Sequence, residues 1–328
     1  LGVAMVAVRL PACDRPFQHQ SQRYAATLLL RPVADSKRPF ALELIDTTRF
    51  MSSSIQGMEV PIKRDLTAPI AYVLREVDRP YFRNFVQPGS TDENTGLFMI
   101  EPHQPGKIPV VFVHGLLSDR YTWADVANEI RARADLIDRY QILGFEYSTG
   151  APFLTAAATL RRQLTEYRMN YDPDCRDPAM SQIVLIGHSM GGIVSKLQIS
   201  SSGNQLWKAV ANRPFHAVVM TDRERSNLGE AFFFDPSPGI GRVIYMGTPH
   251  RGSPWATRPV GQLGSCLVEE PDDQVRWHQQ LLINNPYTFS EEFSRRIPTS
   301  VDLLRPDSPL LLAMDNLPAN PRVPQHSI

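Results

Sequence analysis

Gly187, Ser189 and Gly191 form a Gly-x-Ser-x-Gly motif, the arrangement in this chain best suited to nucleophilic chemistry. The motif follows a short apolar run at 183–186 and precedes a segment with apolar residues at helical spacing. A sharp strand-to-helix turn strains the serine backbone and brings neighbouring chain close, so the positions two before and two after the serine favour glycine. The sequence therefore predicts Ser189 as a nucleophile. The alternative is a glycine-rich turn that exposes a serine without chemistry.

Alternating strand-like and helix-like segments position this turn. Four short apolar runs predict strands, at 108–113, 142–147, 183–186 and 243–246, and the segments between them carry apolar residues at helical spacing. Strands separated by helices imply right-handed crossovers and a mainly parallel, doubly wound sheet that helices cover on both faces. The predicted fold class is therefore α/β. The carboxyl edge of such a sheet, where Ser189 would lie, is also where these sheets bind ligands.

The remaining segments suggest additions to this sheet. Residues 14–105 form an N-terminal extension that leads into the sheet, with short strands predicted at 71–74 and 97–100. Residues 106–328 form the main domain. Within it, two stretches are too long for simple connections and predict helical cap or lid insertions, and they cover 202–240 and 253–321.

Composition limits the classes of function. The chain has 34 basic residues (Lys and Arg) and 34 acidic residues (Asp and Glu), so its formal net charge is zero. Its overall charge therefore does not favour nucleic acid as a partner. The three cysteines, Cys13, Cys175 and Cys266, lack the spacing of a zinc site or a disulfide framework. No run reaches the roughly 20 apolar residues of a membrane-spanning helix. We expect a folded enzyme without metal, organic cofactor, nucleic-acid partner or transmembrane span.

The first 13 residues predict a processed leader. The apolar run ends in Leu10-Pro11-Ala12-Cys13, which resembles a bacterial lipoprotein signal with a lipidated Cys13. Arg9 interrupts the run and argues against that interpretation. The alternative is the remnant of an N-terminal helix. The corresponding locations are the bacterial cell envelope and the cytoplasm.

Three motifs resemble those of one family: His114-Gly115-Leu116, Gly187-His188-Ser189-Met190-Gly191-Gly192 and Gly247-Thr248-Pro249-His250-Arg251-Gly252-Ser253. Over about residues 105–255 the chain resembles bacterial lipase- and esterase-like α/β hydrolases, including relatives of the PGAP1-like acyl-ester hydrolases. The first two motifs are specific for the fold and the nucleophile. The third recurs among lipase-like members after the strand that follows the nucleophile helix. The resemblance implies ester hydrolysis on an acyl-ester or lipid-like substrate.

The resemblance also implies an oxyanion hole. In this family, backbone N–H groups that follow the first strand of the pattern and the nucleophile hold the charge of the tetrahedral intermediate, each contributing on the order of a few kcal/mol. We predict Leu116 and Met190 as these donors. His114 and Gly115 are expected to shape the loop, and His188 to point into neighbouring packing.

A catalytic acid and base should follow the nucleophile, in that order, at the ends of later strands. The chain shows one clear strand after the nucleophile helix, and residues 322–328 look like the start of the next. We therefore expect the chain to stop before both groups, and we assign neither. His250 belongs to the third motif and is interpreted as structural. The later groups without motif support are Asp272, Asp273, Asp302, Asp307, Asp315, His278 and His326.

These observations predict a serine-dependent carboxylic ester hydrolase with an acyl-enzyme on Ser189. An acyltransferase would use the same serine and a different acceptor. A catalytically silent binding or scaffold protein of the same fold is the alternative that the absent acid and base suggest. Sequence alone leaves the oligomeric state open.

Overall fold

The computed structural model describes residues 1–10, 17, 22–33, 37, 39–76, 95–257 and 272–328. Its strands are β1 (Val3–Arg9), β2 (Gln22–Pro32), β3 (Phe40–Asp46), β4 (Ser52–Ile55), β5 (Met58–Pro61), β6 (Gly96–Met99), β7 (Ile108–Val113), β8 (Tyr140–Glu146), β9 (Ile183–His188), β10 (Ile240–Met246) and β11 (Gln325–Ser327). Its helices are α1 (Ala68–Glu76), α2 (Ala124–Ala132), α3 (Ala134–Ile137), α4 (Phe153–Tyr171), α5 (Met190–Lys196), α6 (Gln205–Val210), α7 (Asp222–Phe232), α8 (Pro254–Thr257), α9 (Asp272–Asn284), α10 (Glu291–Arg295), α11 (Ser300–Leu303) and α12 (Pro309–Asp315). Cys13 and Cys266 lie outside the described residues.

The central sheet has the strand order β11-β10-β9-β7-β8-β6. Its neighbours run parallel, except that β6 is antiparallel to β8. All six residues of β7 are buried, because this apolar strand lies between β9 and β8 and is covered on both faces. The predicted α/β class, with a mainly parallel sheet flanked by helices, is confirmed.

Helices cover the sheet with apolar stripes. On one face, α4 buries Leu160, Leu164 and Tyr167, which recur at helical spacing. On the other face, Trp123 precedes α2 and stacks on Phe112 of β7, with ring centroids 4.7 Å apart. Burial of these side chains holds the sheet between two helical layers. The packing thereby fixes the positions of the strand ends that carry the site.

The chain before the main domain differs from its prediction in two places. Residues 3–9 form β1, an outer strand of the antiparallel sheet β1-β2-β3, so the helical interpretation of the chain start is wrong. Residues 71–74, predicted as a strand, lie inside α1. The Asp65 carboxylate accepts hydrogen bonds from the Thr67 and Ala68 backbone N–H groups, at 3.2 and 2.9 Å, and so caps this helix.

The two stretches predicted as cap insertions contain short helices within their described residues. The first holds α6 and α7, and α7 begins at a capping box in which Thr221 and Glu224 exchange bonds with each other's backbone N–H. The second holds α8 to α12. After it, β11 pairs in parallel with β10, as the pattern at 322–328 predicted. In the described part of the chain no helix is both long and apolar enough to cross a bilayer.

Candidate active site

Ser189 lies at a sharp turn between β9 and α5, the arrangement that its motif predicts. Its backbone has φ 51° and ψ −122°, in a region that non-glycine residues rarely occupy. The turn is held by a hydrogen bond from the Ser189 N–H to the Met246 carbonyl, 2.9 Å, and by one from the Gly192 N–H to the Ser189 carbonyl, 3.0 Å. Such strain persists only where the surrounding structure fixes it.

The glycines around Ser189 are required by close backbone contacts. A Cβ added at Gly191 would lie 2.2 Å from the Val113 carbonyl oxygen and 2.3 Å from that of His114. At Gly187 it would lie 2.4 Å from the Gly191 carbonyl oxygen. All three distances are well inside van der Waals contact, and the two at Gly191 show that the end of β7 packs directly on the turn.

The loop after β7 lies beside the nucleophile. A Cβ built on Gly115 would lie 3.0 Å from Ser189 Cβ, so these two residues are immediate neighbours. Leu116 follows Gly115, and its backbone N–H donates to no acceptor among the described residues. Met190 is the first residue of α5, where a backbone N–H has no acceptor within the helix. Met190 thus adjoins Ser189 in the chain, and Leu116 directly follows a residue that lies beside Ser189.

His114 is fully buried under this loop. The hydroxyl of Tyr147 donates to the His114 carbonyl over 2.7 Å, and the Tyr147 backbone N–H donates to His114 Nε2 over 3.3 Å. His114 Nδ1 faces the Gly115 carbonyl at 3.0 Å and donates to it, because Nε2 is an acceptor. Burial lowers the pKa of His114 to about 4 and keeps the ring neutral near pH 7.

Glu146 anchors the other end of the loop. One carboxylate oxygen accepts the Arg120 backbone N–H over 2.8 Å and Arg120 Nε over 3.2 Å. The second oxygen, Oε1, is buried without a hydrogen bond, 3.5 Å from His114 Nε2. Burial raises the pKa of Glu146 to about 7, against the opposing effect of Arg120. Sequence analysis missed Glu146 and Tyr147, since nothing in their spacing links them to residue 114.

His188 departs from its prediction. Its side chain is exposed rather than packed, because the strand alternation that buries Gly187 turns the next residue outward. The ring meets Trp123 edge-on, with centroids 6.4 Å apart. His188 therefore forms part of the surface beside Ser189.

The third motif forms a loop after β10 that packs on α5. A Cβ at Gly192 would lie 1.9 Å from Thr248 Oγ1, so this loop is in direct contact with the first turn of α5. Asp315 joins the same elements, with ion pairs of 3.6 Å to Lys196 and 3.3 Å to Arg251. His250 lies against Tyr245, with ring centroids 4.6 Å apart.

Among the described residues, no histidine later in the chain forms a hydrogen bond with Ser189. His278 is buried, and its Nε2 lies 2.7 Å from the Phe293 carbonyl. His326 is exposed on β11 and contacts Arg242. Both rings therefore have partners of their own.

Two of the later carboxylates form ion pairs with arginines instead of contacting Ser189. Asp302 binds Arg296 with both oxygens at 2.7 Å, and Asp307 pairs with Arg305 at 2.7 Å. The side chains of Asp272 and Asp273 lie outside the described residues. In the part of the chain that the structure describes, no acid or base hydrogen-bonds the Ser189 hydroxyl.

The chain belongs to the alpha/beta hydrolase family. The model of that family matches residues 110–325, from within β7 to the first residue of β11, and includes the turn at Ser189. A comparison with curated proteins found no match.

The solved structures to which the chain is similar include a lipase and a carboxyl esterase. The mature form of the lipase BlEst2 of Bacillus licheniformis is 21% identical, with a TM-score of 0.39, over 71% of this chain and 71% of that chain. The metagenomic carboxyl esterase MGS0156 is 16% identical, with a TM-score of 0.30, over 80% of this chain and 72% of that one.

Proposed function

We propose that the protein is a serine-dependent carboxylic ester hydrolase. Ser189 attacks the acyl carbonyl, and the backbone N–H groups of Leu116 and Met190 hold the oxyanion of the tetrahedral intermediate. Collapse of that intermediate releases the alcohol and leaves an acyl-enzyme, which water then hydrolyses. The observation that carries the proposal is the strained backbone of Ser189 beside Gly115.

A complete reaction needs a general base. No described histidine hydrogen-bonds Ser189, so the proposal places the base and its acid partner outside the described residues. The order nucleophile, acid, base expected from the resemblance would put them after β11. If residues encoded after Ile328 supply them, a longer chain with that continuation hydrolyses aryl esters faster than residues 1–328 do, by several orders of magnitude.

Labelling with a fluorophosphonate probe tests the nucleophile separately from turnover. We expect the longer chain, which supplies the base, to be labelled and the same chain with Ser189→Ala to remain unlabelled. Ser201→Ala is the matched control, because Ser201 binds Asp235 after the far end of α5 and should not affect labelling. Labelling that survives Ser189→Ala contradicts the assignment of the nucleophile.

Two alternatives predict different results. An acyltransferase transfers the acyl group to added alcohols in preference to water, so product analysis in alcohol mixtures identifies it. A silent binding protein shows neither labelling nor turnover in the short or the longer chain. Because no described base hydrogen-bonds the Ser189 hydroxyl, this second alternative needs a direct test.

A further inference from the structure

A cavity of about 340 Å³ lies between α1, the end of β6 and α2. Helix α1 contributes Ile70, Val73 and Leu74 to one wall, and Phe98 and Trp123 contribute to the wall on the sheet side. Its size falls in the range of small-molecule sites, and its walls are largely apolar, as in such sites. We refer to this space as the arginine cavity; Ser189 and Gly115 are not among its described lining residues.

Three arginines line the arginine cavity, Arg23, Arg120 and Arg131, and its described lining includes no acidic residue. The carboxylates that balance them lie outside the lining. Arg131 pairs with Glu101 at 2.5 Å, and Arg120 pairs with Glu146 at 3.2 Å. The charge that faces the cavity is therefore positive.

Two buried N–H donors on this lining lack acceptors. Trp123 Nε1 and Arg131 Nε are buried, and neither forms a hydrogen bond within the described residues. Trp123 is 5% exposed and Arg131 is 3% exposed. A buried donor without an acceptor costs about 1–3 kcal/mol, so such groups in native structures usually have a partner. Both donors belong to side chains of the cavity wall, where a bound acceptor would satisfy them.

Trp123 also connects the cavity with the candidate active site. The same ring meets His188 edge-on, and His188 directly precedes Ser189. Arg120, also in the cavity wall, donates two hydrogen bonds to Glu146 at the end of β8. Glu146 thereby holds one end of the loop that carries Leu116. A ligand in the cavity would therefore lie one side chain away from the nucleophile turn.

We propose that the arginine cavity binds a small carboxylate with an apolar body. The carboxylate accepts hydrogen bonds from the guanidinium groups, whose planar donors match its geometry, and from the free indole N–H. The apolar body lies against the α1 wall. The proposal does not depend on Ser189 being catalytic, although carboxylic acids are the class of product that ester hydrolysis releases.

Calorimetric titration of the Ser189→Ala protein with hexanoate tests the proposal without turnover. We expect one saturable site for hexanoate and at least 10-fold weaker binding of hexan-1-ol, which has the same apolar body without the charge. Arg131→Met should weaken hexanoate binding at least 10-fold. Arg133→Met is the matched control, since this neighbouring arginine is exposed and pairs with Asp135 away from the cavity.

Arg131→Met leaves Glu101 buried without its cation, which destabilises the folded protein. A second variant therefore tests the cavity without removing a charge. Val73→Trp fills the cavity from α1 and leaves every charge in place, and we expect it to abolish hexanoate binding. Equal affinity for hexan-1-ol, or unchanged hexanoate binding by Val73→Trp, overturns the proposal. Loss of hexanoate binding after fluorophosphonate labelling of the wild-type protein overturns it too, because the site would then be the one at Ser189.

Discussion

The hydroxyl of Tyr147 donates a hydrogen bond to the main-chain carbonyl of His114 over 2.7 Å. The two rings also stack, with centroids 4.4 Å apart. Glu146, the preceding residue, holds the backbone N–H of Arg120. Two consecutive residues at the end of β8 thus fix both ends of the loop that carries Leu116. The position of this donor depends on side chains outside the nucleophile and loop motifs.

Tyr147→Phe tests this dependence. Removing the hydroxyl leaves a buried carbonyl with one partner fewer, so we expect unfolding free energy to fall by about 1–2 kcal/mol. The loop then holds its N–H less firmly at the oxyanion position, and the rate of fluorophosphonate labelling should fall roughly 3- to 30-fold. Tyr140→Phe, at the start of the same strand, is the control. If the labelling rate is unchanged in Tyr147→Phe, the bond has only a structural role.

Gly191→Ala tests the close contact between β7 and the turn. A methyl group there would overlap the carbonyl oxygens of Val113 and His114, so the backbone must shift. We expect the free energy of unfolding to fall by roughly 3 kcal/mol or more, as in severe overpacking. Gly229→Ala provides the contrast. Gly229 lies inside α7, and the nearest atoms to an added Cβ are 4.0 Å away. Alanine there should stabilise the helix by about 0.5–1 kcal/mol, as urea unfolding of both variants would measure.

Sequence pattern predicted the part of the fold that is buried on both faces. The runs that became β7, β9 and β10 are short and apolar because each lies inside the sheet between two others. The turn at Ser189 could also be predicted from the sequence, since its geometry demands glycine at fixed positions. Here local sequence and tertiary position agree.

The remainder depended on contacts between distant residues. Residues 71–74 are apolar on a half-exposed helix, and their cap, Asp65, lies outside the run that was interpreted as a strand. Tyr147 lies 33 residues from His114 in the chain, so no local pattern reports their contact. The exposure of His188 likewise follows from its place in β9 rather than from its type.

The strain at Ser189 predicts a difference between two inactive variants. Ser189→Ala keeps a Cβ at φ 51°, whereas Ser189→Gly removes the steric cost of that conformation. Strain of this kind costs on the order of 1–3 kcal/mol, part of which is offset by the greater freedom of glycine in the unfolded chain. We expect Ser189→Gly to be more stable than Ser189→Ala by about 1 kcal/mol in thermal unfolding. A more stable alanine variant would show that the turn is not strained.

Glu146 and His114 have opposite effects on the dependence of stability on pH. Burial raises the pKa of Glu146 from 4.5 to about 7, so its contribution is full below pH 4.5 and is lost as pH rises to about 7. Burial lowers the pKa of His114 from 6.5 to about 4, so its contribution is full above pH 6.5 and is lost as pH falls to about 4. Between these limits the two effects oppose each other.

Glu146→Gln should therefore expose the effect of His114. Glutamine can accept from the Arg120 N–H groups, as the carboxylate does, but it has no proton to lose. Relative to wild type, we expect the unfolding free energy of the variant to rise by on the order of 3 kcal/mol between pH 4.5 and pH 7. Urea titrations at several pH values measure this difference, with Glu166→Gln on the exposed face of α4 as control. A difference that stays constant with pH means that Glu146 does not titrate in this range and that its pKa is not raised.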